Sequence, residues 1–174
     1  KSRIAKDRTD AEKYWTIRRE SFNLLRKHVQ GKKTAPFIDD LIVRPEQLPE
    51  FLPRLNAILD PYKNIVYTIA GHAGDANFHI IPLMNLSNER DRSSILEIAE
   101  KVYNLVIEYG GSITAEHNDG LMRTPYLEKM FGQKMIGLFE EIKKIFDPQN
   151  IFNPRKKVRG DMQFAMNHIK TNND

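Results

Sequence analysis

Residues 71–79 read GHAGDANFH, between the runs NIVYTIAG (64–71) and ANFHIIPLM (76–84). Two β-rich runs about a Gly-Asp turn predict a β-hairpin. Strands alternate faces, so the parity of the loop decides which side chains meet. A two-residue turn at Gly74-Asp75 sets His72 opposite Asn77, with His79 one diagonal further along the same face. A four-residue loop sets His72 opposite His79. An odd loop or a bulge would split them. Either even loop aims both imidazoles the same way, within reach of one ion. Taken alone, two same-face histidines are more often ordinary polar strand residues.

The rest of the chain supplies layers for this hairpin. Residues 10–28 carry Tyr14, Ile17, Phe22 and Leu25 at mostly helical spacing, with Asp10 as the expected cap. FIDDLIV (37–43) reads as a strand ending before Pro45, and residues 45–62 as a helix with proline in its first turn. Residues 88–109 place Ile95, Ile98, Val102, Leu105 and Val106 on one helical face that stops at Gly110-Gly111. SITAEHNDG (112–120) is expected as a short strand running into a loop, and residues 124–146 as a last long helix ended by Asp147-Pro148. Trp15, Phe131 and Phe146 are expected in the core. The order α-β-α-β-β-α-β-α predicts an α+β fold, an antiparallel sheet covered on one face by helices, with a C-terminal helical segment. The domain is expected over 1–160, with 161–174 as a tail.

Composition narrows the function. The chain has 174 residues, enough for one core, and its 29% charged and 40% hydrophobic content is globular. No apolar run approaches the roughly 20 residues that span a bilayer. There is no cysteine, which excludes disulfides, thiolate zinc sites and iron–sulfur ligation within these residues. The expected location is cytoplasmic, with peripheral contact at the inner membrane left open. The net charge is +4, but Lys32-Lys33 and Arg155-Lys156-Lys157 are short clusters among scattered acids, so no nucleic-acid partner is expected.

Glu116-His117 adds to the two hairpin histidines. The pair follows Gly110-Gly111 and precedes the turn signal Asn118-Asp119-Gly120. Two histidines and a carboxylate form a common open site for divalent zinc, manganese or iron. Neighbours on a strand point apart, so one of Glu116 and His117 is expected at the metal and the other at the reacting group. A zinc hydrolase could use the same three ligands, although the H-E-x-x-H helix pattern is absent. A non-catalytic binding module is the other alternative.

Several segments resemble one family. GHAGDANFH is similar to the GHxGDGNxH signature of the FAD-linked oxidase C-terminal family. YWTIRRES (14–21), FIDDLIVRPEQLPEF (37–51), GSITAEHNDGLMRTPYLEKMFG (111–132) and IKKIFDPQNIFNPRK (142–156) resemble its other motifs, in the same order. The departures are Ala76 for a turn glycine, Asn118-Asp119 after the Glu-His pair, and Arg155 for a glycine near the end. Alanine at 76 makes a left-handed backbone there less favourable. The set looks most similar to large bacterial members that carry an iron–sulfur part.

The resemblance implies a ferredoxin-like substrate or cap domain, the later part of an FAD-dependent oxidoreductase. It implies oxidation of a D-2-hydroxy acid, of the glycolate, D-lactate or D-2-hydroxyglutarate class, to the 2-keto acid with hydride transfer to flavin. FAD would be held mainly by another domain of the same polypeptide, and an iron–sulfur domain is one candidate electron acceptor, with the acceptor itself left open. The chain then reads as a fragment inactive by itself. By role, His72, His79 and Glu116 would hold the metal and His117 would be the base. Arg18 and Asn77 would bind substrate, and Asn153 would approach the flavin. Arg19 competes with Arg18.

Overall fold

The computed structural model describes residues 4–29 and 31–171. Contacts divide the chain into two units, Lys1–Lys32 and Lys33–Asp174. The first unit holds helix α1 (Arg8–His28). Its cap is Asp7 rather than the expected Asp10: the Asp10 N–H donates to Asp7 Oδ1 at 2.8 Å, so the helix begins one turn earlier.

The second unit is built on β4 (Asn77–Met84), which pairs along its length with β3 (Val66–His72). On its other edge β4 meets two short strands, β1 (Lys33–Thr34) at its C-terminal end and β2 (Leu41–Ile42) at its N-terminal end. Every pairing is antiparallel. A bridge between Ile42 and Ser112 extends the sheet past β2. With α2 (Leu48–Leu59) between β2 and β3, and α3 (Glu89–Glu108) between β4 and Ser112, the chain runs β-α-β-β-α-β. That is ferredoxin-like connectivity, as expected.

Alternation along β4 separates a packed face from an open one. Phe78, Ile80 and Met84 point into the core formed with Phe51 and Leu55 of α2 and Ile95, Ile98 and Val102 of α3. Phe51 is the centre of an aromatic cluster, 5.3 Å from both Phe78 and Tyr109. Asn88 caps α3 by accepting from the N–H groups of Arg90 and Asp91. The α2–α3 layer covers one face of the sheet and leaves the other to His79 and its neighbours.

Two expected strands are shorter than their sequences suggest, and one cause serves both. The run 37–43 keeps only Leu41–Ile42 as strand, because Asp40 takes φ +64° and turns the chain. The run 112–120 keeps only the Ser112 bridge, because the N–H groups of residues 115–117 bond to the Asp40 carboxylate instead of a strand.

Beyond this loop come α4 (Gly120–Arg123) and α5 (Leu127–Phe146), which is interrupted at Gly132. A short α6 (Met162–Asn167), capped by Asp161, buries Ala165 and gives the expected tail a helix. Only Leu127 of α5 is buried. Phe131 is 40% and Phe146 81% exposed, and on α1 Trp15 is 57% exposed, so none of the three is a core residue as expected. On α5 the apolar stripe Met135, Leu138, Ile142 and Ile145 faces away from the unit's core. No helix among the described residues is long and apolar enough to cross a membrane.

Candidate functional site

The hairpin ladder pairs His72 with Asn77 and Ala70 with His79. This is the register of the Gly74-Asp75 turn, and it puts His72, Asn77 and His79 on the open face. The Asp75 N–H donates to the His72 carbonyl at 3.0 Å. Ala76 adopts φ +52° despite its side chain, contrary to the expectation for alanine. A left-handed L-residue costs about 1–2 kcal/mol, and burying its methyl recovers about 0.8 kcal/mol. Glycine is required at 71: a Cβ there would stand 2.3 Å from the Asn77 carbonyl oxygen.

Asp40 holds the second half of the site in place. It is fully buried, and its Oδ2 accepts from the N–H groups of Ala115 and His117, both at 2.9 Å. Its Oδ1 accepts from the Glu116 N–H at 3.0 Å and from Asn77 Nδ2 at 3.1 Å. Burial pushes the Asp40 pKa up, but the backbone donors of His117, Glu116 and Ala115 and the Asn77 amide outweigh it and hold the carboxyl below its usual range. One carboxylate thus fixes the backbone of the Glu116-His117 loop against the hairpin.

Around this anchor three imidazoles converge on one carboxylate oxygen. Glu116 Oε1 lies 3.1 Å from His79 Nε2, 3.4 Å from His72 Nε2 and 3.6 Å from His117 Nε2. The His79 and His117 rings stack at 4.8 Å, and the His72 ring stands edge-on to His79 at 5.8 Å. Asp39 reaches the far side of two rings, with Oδ1 3.0 Å from His79 Nδ1 and Oδ2 3.4 Å from His117 Nδ1. A carboxylate at Nδ1 fixes that nitrogen as the donor and leaves Nε2 as a lone pair facing the cluster.

The donor set can be tested against a metal ion. Two ligands at about 2.0–2.1 Å and a tetrahedral angle lie about 3.3 Å apart. The three nitrogen–oxygen separations bracket that value. Asp40, His79, Glu116 and His117 also each offer an atom within 4.8 Å of the others. Asp40 spends its oxygens on N–H donors, so it serves as the anchor behind the loop. The free donors are His72, His79, Glu116 and His117.

The expected site residues divide by this geometry. His72, His79, Glu116 and His117 are brought together. The strand alternation expected to separate Glu116 from His117 does not operate, because they lie on a loop wrapped around Asp40. Asn77 shares the face but is 5% exposed, with Nδ2 given to Asp40 and the Leu41 carbonyl. It braces the anchor through Nδ2, while its Oδ1 has no hydrogen-bond partner among the described residues. Arg18 is exposed on α1, in the first unit; among the described residues its guanidinium has no partner, whereas Arg19 is paired with Glu12. Asn153 is exposed in the turn after α5, with Lys156 Nζ 3.4 Å from its Oδ1. Asp39 and Asp40 were not anticipated. Two adjacent acids inside the apolar run FIDDLIV were the available signal, since buried carboxylates require partners.

Known proteins share these segments. The chain is 31% identical over 153 residues to D-2-hydroxyglutarate dehydrogenase of Haemophilus influenzae, covering 88% of this chain and 15% of that protein. It is 31% identical over 129 residues to glycolate oxidase subunit GlcD of Bacillus subtilis, covering 74% and 27% respectively. It is 36% identical over 120 residues to D-lactate dehydrogenase of Archaeoglobus fulgidus, covering 69% and 26%. The chain therefore spans between about a seventh and a quarter of the length of these relatives. The family model for FAD linked oxidases, C-terminal domain, matches residues 1–157, and the chain belongs to that family.

Proposed function

We propose that this chain is the substrate-side domain of an FAD-dependent oxidoreductase that converts a D-2-hydroxy acid to the 2-keto acid. The observation that carries this is the convergence of three imidazole nitrogens on Glu116, in a member of an FAD-linked oxidase family. Its named relatives act on D-2-hydroxyglutarate, glycolate and D-lactate.

His72, His79 and Glu116 would hold a divalent ion, zinc, manganese or iron by donor type. Such an ion supplies a Lewis acid that draws the hydroxyl and carboxylate of the substrate and lowers the hydroxyl pKa. His117 accepts the hydroxyl proton at Nε2. Asp39, 3.4 Å from its Nδ1, keeps the opposite nitrogen protonated and the ring oriented. Arg18 is the candidate clamp for a substrate carboxylate, through two parallel N–H bonds.

The described residues do not fit an FAD cradle. Gly71, Gly111 and Gly160 stand against this chain's own atoms, and the six glycines beside open space form no G-x-G-x-x-G pattern. FAD would be held mainly by another domain, with Asn153 as this chain's contribution, and an iron–sulfur domain would take the electrons onward. The 15% coverage of the D-2-hydroxyglutarate dehydrogenase relative leaves room for both. The cytoplasmic location belongs to the same proposal.

The test is isolation from source cells through a tag on the chromosomal gene. The purified protein should contain FAD and reduce a dye with one of glycolate, D-lactate or D-2-hydroxyglutarate. A flavin-free protein, or one inert to all three acids, would contradict the function.

A further inference from the structure

We propose that Arg123 is a positioning residue for the histidine cluster, acting through Asp39 and the Glu116-His117 loop. The inference rests on the metal-site reading above.

Arg123 ends α4 and is 8% exposed. Its Nη1 donates to the Asp39 carbonyl at 2.5 Å, and its Nη2 donates to the Asn118 carbonyl. Nη2 also lies 3.9 Å from Asp40 Oδ2. One guanidinium thus ties together two segments far apart in sequence. The first is the Asp39-Asp40 turn, and the second is the loop that carries Glu116 and His117. Asp39 in turn sets the Nδ1 side of both His79 and His117.

The chemistry favours arginine for this work. Two carbonyls approached from different segments match the rigid fork of a guanidinium, which a single ammonium cannot span. Its charge also faces the buried carboxylate of Asp40, whose other donors are neutral: three backbone N–H groups, the Asn77 amide and the Thr114 hydroxyl. Without Arg123, the Asp39 backbone loses its tether. The Asp39 carboxylate can then rotate away from the two Nδ1 atoms, and each imidazole is free to exchange tautomers. A ring with its proton at Nε2 cannot offer that nitrogen to a metal.

The experiment uses the 174-residue chain, with Zn²⁺ as the probe in calorimetric titrations. Nitrogen-15 NMR at pH 8 reads the tautomers of His79 and His117. Arg123→Met should keep its circular dichroism and its amide spectrum away from the loop. It should bind Zn²⁺ about 10–100-fold more weakly, the usual effect of losing an outer partner of the ligands. The Nδ1–H signatures of His79 and His117 should become mixed. Arg123→Lys should fall between the two, since it keeps the charge without the fork. A folded Arg123→Met with wild-type affinity and unchanged tautomers would overturn the proposal. Should Arg123→Met fail to fold, Arg123→Lys decides: unchanged affinity and tautomers overturn it, and a partial loss of both supports it. If the wild-type chain binds no Zn²⁺, the metal-site reading fails, and the tautomer comparison alone still decides the role of Arg123.

Discussion

Asp40→Asn is nearly isosteric, so it isolates the charge of the anchor. The two Asp40 oxygens take four close donors and a longer one: Ala115 N–H and His117 N–H at Oδ2, Glu116 N–H and Asn77 Nδ2 closest to Oδ1, and the Thr114 hydroxyl 3.5 Å from Oδ2. Whichever way the new amide turns, its NH₂ faces two donors. The two bonds kept on the oxygen side become neutral, a loss of about 1 kcal/mol each, since charged acceptors contribute about 1.5–3 and neutral ones about 0.5–1.5. On the other side, Asn77 can rotate so that its buried, unpartnered Oδ1 accepts from the new amide. That leaves the Glu116 N–H only its longer bond, 3.2 Å to the other oxygen, which is now neutral, a further loss of about 1 kcal/mol. The sum is about 3 kcal/mol, or roughly 6–12 °C in Tm for a chain of this size. Urea unfolding followed by circular dichroism, with calorimetry for Tm, measures it. A variant within about 0.5 kcal/mol of wild type would refute the assignment of Asp40 as the charged anchor, because that is the scatter of neutral surface changes.

Asp40 also predicts an acid limb. A carboxyl held below its usual range stabilises the fold at pH above the unfolded value of about 3.9, and that contribution is lost as pH falls through the folded value. Stability of the wild type should therefore drop below about pH 4 more steeply than that of Asp40→Asn; parallel curves would count against the shift. The purified 174-residue chain should show no flavin absorbance, because in the proposed function FAD is held mainly by another domain; stoichiometric FAD retained through gel filtration would contradict this. In FAD-containing protein from source cells, His117→Ala should lower turnover about 10²–10⁴-fold, the usual loss of a general base, while metal content changes far less. Near-normal turnover would mean that another group takes the proton.

The hairpin and the two helices α2 and α3 were legible because their signals are local. Alternation about Gly74-Asp75 fixes β3 and β4, and the spacing of Ile95, Ile98 and Val102 fixes one face of α3. The strands expected at 37–43 and 112–120 were lost for the opposite reason. The Asp40 carboxylate takes N–H donors from residues 75–77 positions away, and no local propensity registers a bond of that span. The same contact explains why Glu116 and His117 stand together rather than on opposite faces. Motif spacing alone brought out His72, His79, Glu116 and His117. Asp39 and Arg123 work through backbone carbonyls and ring nitrogens, which leave no periodic trace. On α5 the amphipathic pattern was visible, but periodicity identifies an apolar face without saying what covers it, hence the exposure of Phe131 and Phe146.

The most direct measurement is metal content per chain, by plasma mass spectrometry after dialysis, for wild type, His72→Ala, His79→Ala and the double variant, each checked by circular dichroism. Because His72 and His79 reach the same Glu116 oxygen, each single loss should empty the site as fully as both together, since groups sharing one site do not add. Glu116→Gln should show a milder loss. The site predicts about one equivalent in wild type and a similarly low value in all three histidine variants. A folded His79→Ala chain that keeps its full equivalent, or a wild-type chain that retains none, would contradict it.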